Sequence, residues 1–280
     1  MYTAEISRRS PSCFLFLIDQ SYSMAEPFGG GSIEVSKSRA MADAVNRLLD
    51  TLVGRCTKDE GAMKYFQVGV IGYGSTVGPA LGGTLTGQDL VWIDEVADNP
   101  LRVEERMKKE PDGAGGLVEL SVKFPVWFDP IADNGTPMCQ ALWQAHTILE
   151  GWVSQHPEAF PPVLINITDG ESTDGDPYPA SEAIRDLKTD DGNVLLLNLH
   201  LSSRRASQIY FPDSESGLSE QDKYAPLLYK MSSHLPEFMR GEARRLGYTI
   251  SDMARGFVFN AEIQDAIQFL DIGTRTVNMR

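Results

Sequence analysis

Cysteine and histidine are scarce in this chain: three of the first and four of the second among 280 residues. Cys13, Cys56 and Cys139 are odd in number, and no spacing among them matches a zinc or redox motif. A disulfide framework is therefore not expected, and the set fits a reducing compartment. Long apolar runs are missing too. No stretch reaches the roughly 18 residues that a membrane helix needs. The segment "SRRSPSCFLFL" has the outline of a twin-arginine export signal. Its apolar run, Cys13 to Ile18, stops at Asp19 after six residues, and no small-residue cleavage site follows. The expected location is cytoplasmic. Positive charge is also in short supply: 25 Lys and Arg stand against 39 Asp and Glu, a net charge of −14. Such a surface repels phosphate backbones and argues against a generic nucleic-acid binder. It suits a protein that meets cations or basic partners, and equally one that is merely kept in solution by its charge.

What is present is a large apolar fraction, 42%, enough for a full core in one large domain or two small ones. No repeat or low-complexity tract occurs, and disorder is expected only in the first few residues. Short continuous apolar runs, "SCFLFLID", "KYFQVGVIGYG", "PPVLINITDG" and "NVLLLNLHL", read as strands covered on both faces. Between them lie helical patterns. "EVSKSRAMADAVNRLLDTLVG" carries Met41, Ala44, Val45, Leu48, Leu49 and Leu52 at helical spacing, with Gly54 placed to end it. "GTPMCQALWQAHTILEGWV" is expected to be a helix with Thr136 as N-cap and Pro137 at its first position. "PASEAIRDLK" is helical. A loop "FPDSESGLSEQ" and one or two helices follow in residues 202–247. "RGFVFN" is a short strand, and the closing helix "AEIQDAIQFLDIG" has Asn260 as its expected N-cap.

Strands alternating with helices define an α/β fold, a doubly wound, mostly parallel sheet with helices on both faces. Residues 75–130 interrupt this pattern with glycines, a candidate strand at Leu90 to Ile93, the charged stretch "RVEERMKKE" and the alternating run "LVELSVKF". The expectation is a single domain over residues 1–280 with an insertion or elaboration at 75–130. In such sheets ligands bind beyond the carboxyl ends of the strands, where the strand order reverses. Asp19 follows one strand and Asp169 another, so adjacent strands at the reversal would bring both carboxylates into one crevice.

The stretch "FLIDQSYSM" adds hydroxyls to that crevice. Ser21 and Ser23 follow Asp19 at period two, so a locally extended loop would turn both to one side. With Thr136 of "NGTPM" and Asp169 of "ITDGESTDG", the set is two carboxylates and three hydroxyls. An all-oxygen set suits a hard divalent cation, and the lack of imidazole or thiolate disfavours zinc and copper. Neutral hydroxyls leave the cation under-neutralised, able to attract an outside carboxylate without any nucleophile or base.

"DQSYS", "NGTPM" and "ITDGESTDG", in this order and spacing, resemble the DxSxS motif, threonine loop and second aspartate loop of von Willebrand factor A domains, the fold shared with integrin I domains. The resemblance extends over nearly the whole chain and implies a metal-ion-dependent adhesion site. Ser21 and Ser23 would be direct ligands, Thr136 and Asp169 would ligate directly or through water, and Asp19 would act mostly through water while holding the loop. The implied ion is Mg2+, with Mn2+ or Ca2+ as alternatives, and the implied partner is a protein presenting Asp or Glu. The chain looks most like intracellular bacterial members, TerY-like proteins of stress-response systems, whose partners include kinases, phosphatases and ATPases. The resemblance also implies that a captured partner can shift the last helix, with Ile263, Ile267 and Leu270 as sliding contacts.

Other readings of single residues are plainer. Ser21 and Ser23 can serve as turn hydrogen-bonders, and Thr136 as an N-cap alone. His200, ending an apolar strand, is expected to be a hydrogen-bonded structural residue. Glu171, Asp174 and Asp176 lack the order of an EF-hand and read as a solvated loop. Trp127, Trp143 and Trp152 read as core or helix-packing residues. The alternative function is a magnesium-dependent phosphatase of the haloacid-dehalogenase type. That chemistry needs a second Asp two residues after the first, and this chain has Ser21 there, so no enzymatic activity is expected.

Overall fold

A computed structural model describes residues 2–27, 35–111, 117–201, 207–218, 222–261 and 263–274. The side chains of residues 108–111, 117, 263 and 264 lie outside that description. So do most of the glycine-rich loop "PFGGGS" and the end of "FPDSESGLSEQ".

The four apolar runs form the strands their composition implies. They are β1 (Ser12–Asp19), β2 (Phe66–Tyr73), β7 (Val163–Thr168) and β8 (Leu195–His200). With β3 (Val77–Pro79), β4 (Val91–Trp92), β9 (Ile209–Tyr210) and β10 (Phe257–Phe259) they build an eight-stranded sheet. Its order is β9-β10-β8-β7-β1-β2-β3, with β4 also paired to β2. The five strands β10, β8, β7, β1 and β2 run parallel, and the short β3, β4 and β9 are antiparallel. From β1 the chain goes first to one neighbour, β2, and later to the other, β7. The order therefore reverses between β1 and β7, which pair from Phe14 opposite Val163 to Ile18 opposite Ile167.

Every β1 residue is buried, and alternate side chains enter different cores. Phe14, Phe16 and Ile18 meet helix α1 (Lys37–Cys56) and the closing helix α7 (Ile263–Thr274). Cys13, Leu15 and Leu17 meet α3 (Met138–Gln155), α4 (Tyr178–Asp186) and α5 (Ala225–Met231). This is the physical basis of the double winding: with apolar side chains on both faces of each strand, both faces need a helical cover. Each fully buried Phe or Leu contributes about 1.5–3 kcal/mol. The helix α6 (Glu237–Arg245) adds Met239 and Ala243 to the α1 side.

Several boundaries differ from the sequence expectation. Helix α1 passes through Gly54 and ends at Cys56, because Gly54 keeps a helical backbone and Leu52 and Cys56 are both buried. Helix α3 begins at Met138, so Pro137 holds the cap position and Thr136 is not the N-cap. Asn260 adopts a left-handed φ of 52° and lies three residues ahead of the first described turn of α7, so it is not the residue beside that turn. In α7 Ala266 and Leu270 are buried and Ile267 is half-buried, while the Ile263 side chain is outside the described residues. Trp127 and Trp152 are buried as expected. Trp143 is not a core residue: it is 48% exposed on α3 with its ring edge on His146.

The elaboration consists of β3, β4, the short helix α2 (Ile93–Asp98) and a long hairpin. The hairpin strands β5 (Arg102–Pro111) and β6 (Leu117–Val126) pair from Arg102 opposite Val126 to Pro111 opposite Leu117. Its inner end sits on α1, where the Arg106 guanidinium covers Phe124 and meets Asp43 at 3.0 Å. Asn46 of α1 receives the Trp127 amide on Oδ1 at 2.8 Å and donates Nδ2 to the Phe128 carbonyl at 3.0 Å. Among the described residues, no helix is long and apolar enough to cross a membrane.

Candidate functional site

The carboxyl ends of β1 and β7 lie side by side, so the loops that leave them share one rim. Asp19 is fully buried there. Its Oδ1 accepts from the Ser21 amide at 2.8 Å, and its Oδ2 accepts from Thr168 Oγ1 at 2.8 Å. The carboxylate thus ties its own loop to the neighbouring strand. Burial, then the charge of Asp169, raise its pKa from 3.8 to about 6, against the hydrogen bonds from Ser21 and Thr168.

The two serine hydroxyls do meet, with Ser21 Oγ 3.0 Å from Ser23 Oγ. The local geometry is not the extended one that period two suggests. Ser21 is extended, but Tyr22–Ala25 forms a 3-10 turn, with the Met24 amide on Ser21 O at 2.9 Å and the Glu26 amide on Ser23 O at 3.1 Å. The turn folds Ser23 back toward Ser21, buries Met24 and leaves Tyr22 75% exposed at the rim.

Backbone bonds bring in the other two loops. The Asp133 amide donates to Gln20 O at 2.7 Å and the Tyr22 amide to Asn134 O at 2.9 Å. Thr136 is joined to the third loop in both directions: its amide donates to Thr173 Oγ1 at 2.9 Å, and the Thr173 amide donates to its carbonyl at 3.0 Å. Gly74 permits this convergence, since a Cβ there would lie 2.7 Å from Gln20 O and 2.9 Å from Asp133 O. An open cleft of about 510 Å³ lies alongside, lined by Ser75, Thr76, Asn134, Gly135, Gln140 and Thr173 among others.

Asp169 follows β7 directly. Its Oδ2 accepts from Lys37 Nζ at 3.1 Å, and the same ammonium reaches Glu26 Oε2 at 3.1 Å. Lys37 is 2% exposed. Sequence reasoning missed this lysine, although a signal existed: a cation on the first turn of a helix opposes the dipole and calls for an anion nearby. The Asp169 carbonyl lies 3.1 Å from His200 Nε2, and the imidazole stacks on Phe259. His200 is thus the structural, hydrogen-bonded residue expected, although its Nδ1 is buried without a partner among the described residues.

Thr168 and Asp174 were also missed. Thr168 Oγ1 accepts from the Gly170 amide at 3.0 Å while donating to Asp19. Asp174 is not just a solvated loop residue. It takes the capping role expected of Thr136, accepting the Cys139 amide at 3.0 Å and the Gln140 amide at 2.9 Å. Burial would raise its carboxyl, but those amides and Ser172 outweigh it and hold the pKa low. Asp176 likewise accepts the Tyr178 amide ahead of α4.

Among the described residues, no group of three or more His, Cys, Asp or Glu could hold a metal. The ordinary donor set of a zinc centre is therefore absent from them, and any cation at the rim would depend on hydroxyl oxygens. The chemistry fits a hard ion: two carboxylates, with the charge of Asp169 acting on Asp19, and three hydroxyls on two loops that are hydrogen-bonded to each other, with no nitrogen or sulfur donor in the set.

No protein-family model matches the chain, and no curated protein does. Solved structures similar to it include a von Willebrand factor type A protein from Catenulispora acidiphila, at 18% identity and TM-score 0.39, covering 68% of this chain and 33% of that one. Another is proximal thread matrix protein 1 from the mussel byssus with a zinc-occupied MIDAS motif, at 16% identity and TM-score 0.39, covering 71% and 37%. The vWF domain of the pili tip protein Mfa5 from Porphyromonas gingivalis is 15% identical with a TM-score of 0.31, covering 58% and 39%. The matched region is less than two fifths of each of those chains.

Proposed function

We propose that the rim between β1 and β7 is a divalent-cation site that captures an acidic side chain of a partner protein. One observation carries this reading. Ser21 and Ser23 present their hydroxyls 3.0 Å apart on a loop that a fully buried Asp19 holds in place. Ser21, Ser23, Thr136 and Asp169 would hold the ion, with Asp19 behind the serines. When bound, the ion supplies an open coordination position for an outside carboxylate. Mg2+ is the proposed ion, since hard oxygen donors and retained water suit it.

The chain's own residues do the rest. Asp19 and Thr168 fix the first loop on β7. Thr173 locks the Thr136 loop to the Asp169 loop. Tyr22 and the cleft beside Thr136 offer a contact surface next to the ion. The intracellular stress-response setting, with a kinase, phosphatase or ATPase as partner, is proposed on the resemblance of the three motifs alone.

The phosphatase alternative needs Asp19 as an accessible nucleophile with an acid two residues on. Asp19 is instead fully buried, both its oxygens accept hydrogen bonds, and Ser21 holds the acid's position. Calorimetry with Mg2+ and Mn2+ on wild type and on the Ser21→Ala, Ser23→Ala double variant tests the proposal. Weak binding is expected in wild type and none in the variant; equal heats in both would remove the site.

A further inference from the structure

We infer that Lys37 is a fixed internal counter-cation that sets how tightly the rim holds a divalent ion. The inference rests on the metal-site reading above and concerns a residue outside the proposed ligand set. Its ammonium lies 3.1 Å from Asp169 Oδ2 and 3.1 Å from Glu26 Oε2, while the side chain is 2% exposed. Water therefore screens little of its charge, and salt screens buried charges poorly. The side chain springs from the first residue of α1, where the helix dipole already adds positive potential.

Two consequences follow from this placement. First, one of the two Asp169 oxygens is committed to the ammonium, and an arriving divalent ion meets a like charge that has no route to solvent. Affinity is held down. Second, the buried Asp19 and the partly buried Asp169 have a positive neighbour before any ion arrives, so the loops keep their shape without metal. A neutral residue at position 37 removes the repulsion and the compensation together. Metal binding should then tighten while the metal-free protein weakens. An orienting lysine would behave differently: its loss would loosen Asp169 and weaken binding.

The test is Mn2+ titration by calorimetry on the full chain, with unfolding midpoints in chelator and in Mn2+, for wild type, K37R, K37Q and K37M. K37Q and K37M are expected to bind Mn2+ at least tenfold more tightly than wild type. They should also unfold at lower denaturant in chelator and recover that loss in Mn2+. K37R, which keeps the charge, should bind as wild type does. A neutral variant that folds only with Mn2+ gives the same result in stronger form. Unchanged or weaker binding in K37Q overturns the inference and leaves the metal site standing, as does failure of both neutral variants to fold even with Mn2+. Absence of Mn2+ binding in wild type and every variant overturns the inference and the metal-site reading together.

Discussion

Thr168 Oγ1 donates to Asp19 Oδ2 at 2.8 Å and accepts from the Gly170 amide at 3.0 Å, so one hydroxyl joins the ends of the two central strands. Thr168 and Asp19 are both fully buried, so neither has water as a substitute partner. Thr168→Val keeps the shape and removes both bonds. It should destabilise the protein by about 1–3 kcal/mol, the usual cost of stranding a buried polar group. Urea unfolding in chelator measures this, and a loss below about 0.5 kcal/mol would mean that the bridge is not a strong tie.

Asp174 should matter to α3 as a cap. Its two oxygens receive the Cys139 and Gln140 amides, which have no intrahelical acceptor. Asp174→Ala should cost about 1–2 kcal/mol by equilibrium unfolding, and Asp174→Asn less, since an amide oxygen still accepts. Equal stability of the alanine variant and wild type would refute the capping role.

His200 should give the metal-free protein an acid-sensitive stability. Burial is the main cause that lowers its pKa from 6.5 to about 4, against the charges of Asp222 and Asp169. The unfolded chain takes up that proton below pH 6.5, whereas the folded one resists until about pH 4. The contribution is full above 6.5 and is lost as pH falls to about 4. Asp19 has the opposite sign. Its pKa is raised from 3.8 to about 6, so its contribution is full below 3.8 and is lost as pH rises through 6. Denaturation midpoints in chelator between pH 4 and 7 should therefore rise more on acidification in His200→Gln than in wild type. Parallel pH profiles would show that His200 does not titrate in this way.

We propose that the 75–130 elaboration unfolds with the sheet as one unit, as a single domain would. Asn46 is the joint, since its amide group takes both the Trp127 amide and the Phe128 carbonyl. Asn46→Ala strands each of these, at about 1–3 kcal/mol apiece. Tryptophan fluorescence and far-ultraviolet dichroism should shift to lower denaturant together. Separate transitions would mean that the elaboration is an independent unit.

The sheet was legible in the sequence because its strands are covered on both faces. Continuous apolar runs such as Cys13 to Ile18 have few other stable uses, and each ends where the buried strand ends. The oxygen-rich loops were legible for a related reason: a carboxylate directly after a buried strand is costly, and it marks a place where the fold requires one. Local spacing fared worse. It suggested an extended Ser21 to Ser23 segment, where backbone bonds wind a 3-10 turn instead. It put the helix cap on Thr136, which the third loop takes over through Asp174.

The sequence alone determined the strand cores, the alternation with helices and the identity of the residues at the strand ends, because burial periodicity is a local property. Tertiary structure decided which loops touch. Lys37, Thr168, Thr173 and Asp174 acquired their roles from partners far away in sequence. Whether a charge or a hydroxyl is a ligand, a tie or a counter-ion depends on what stands within about 3 Å of it, and spacing along a chain does not encode that.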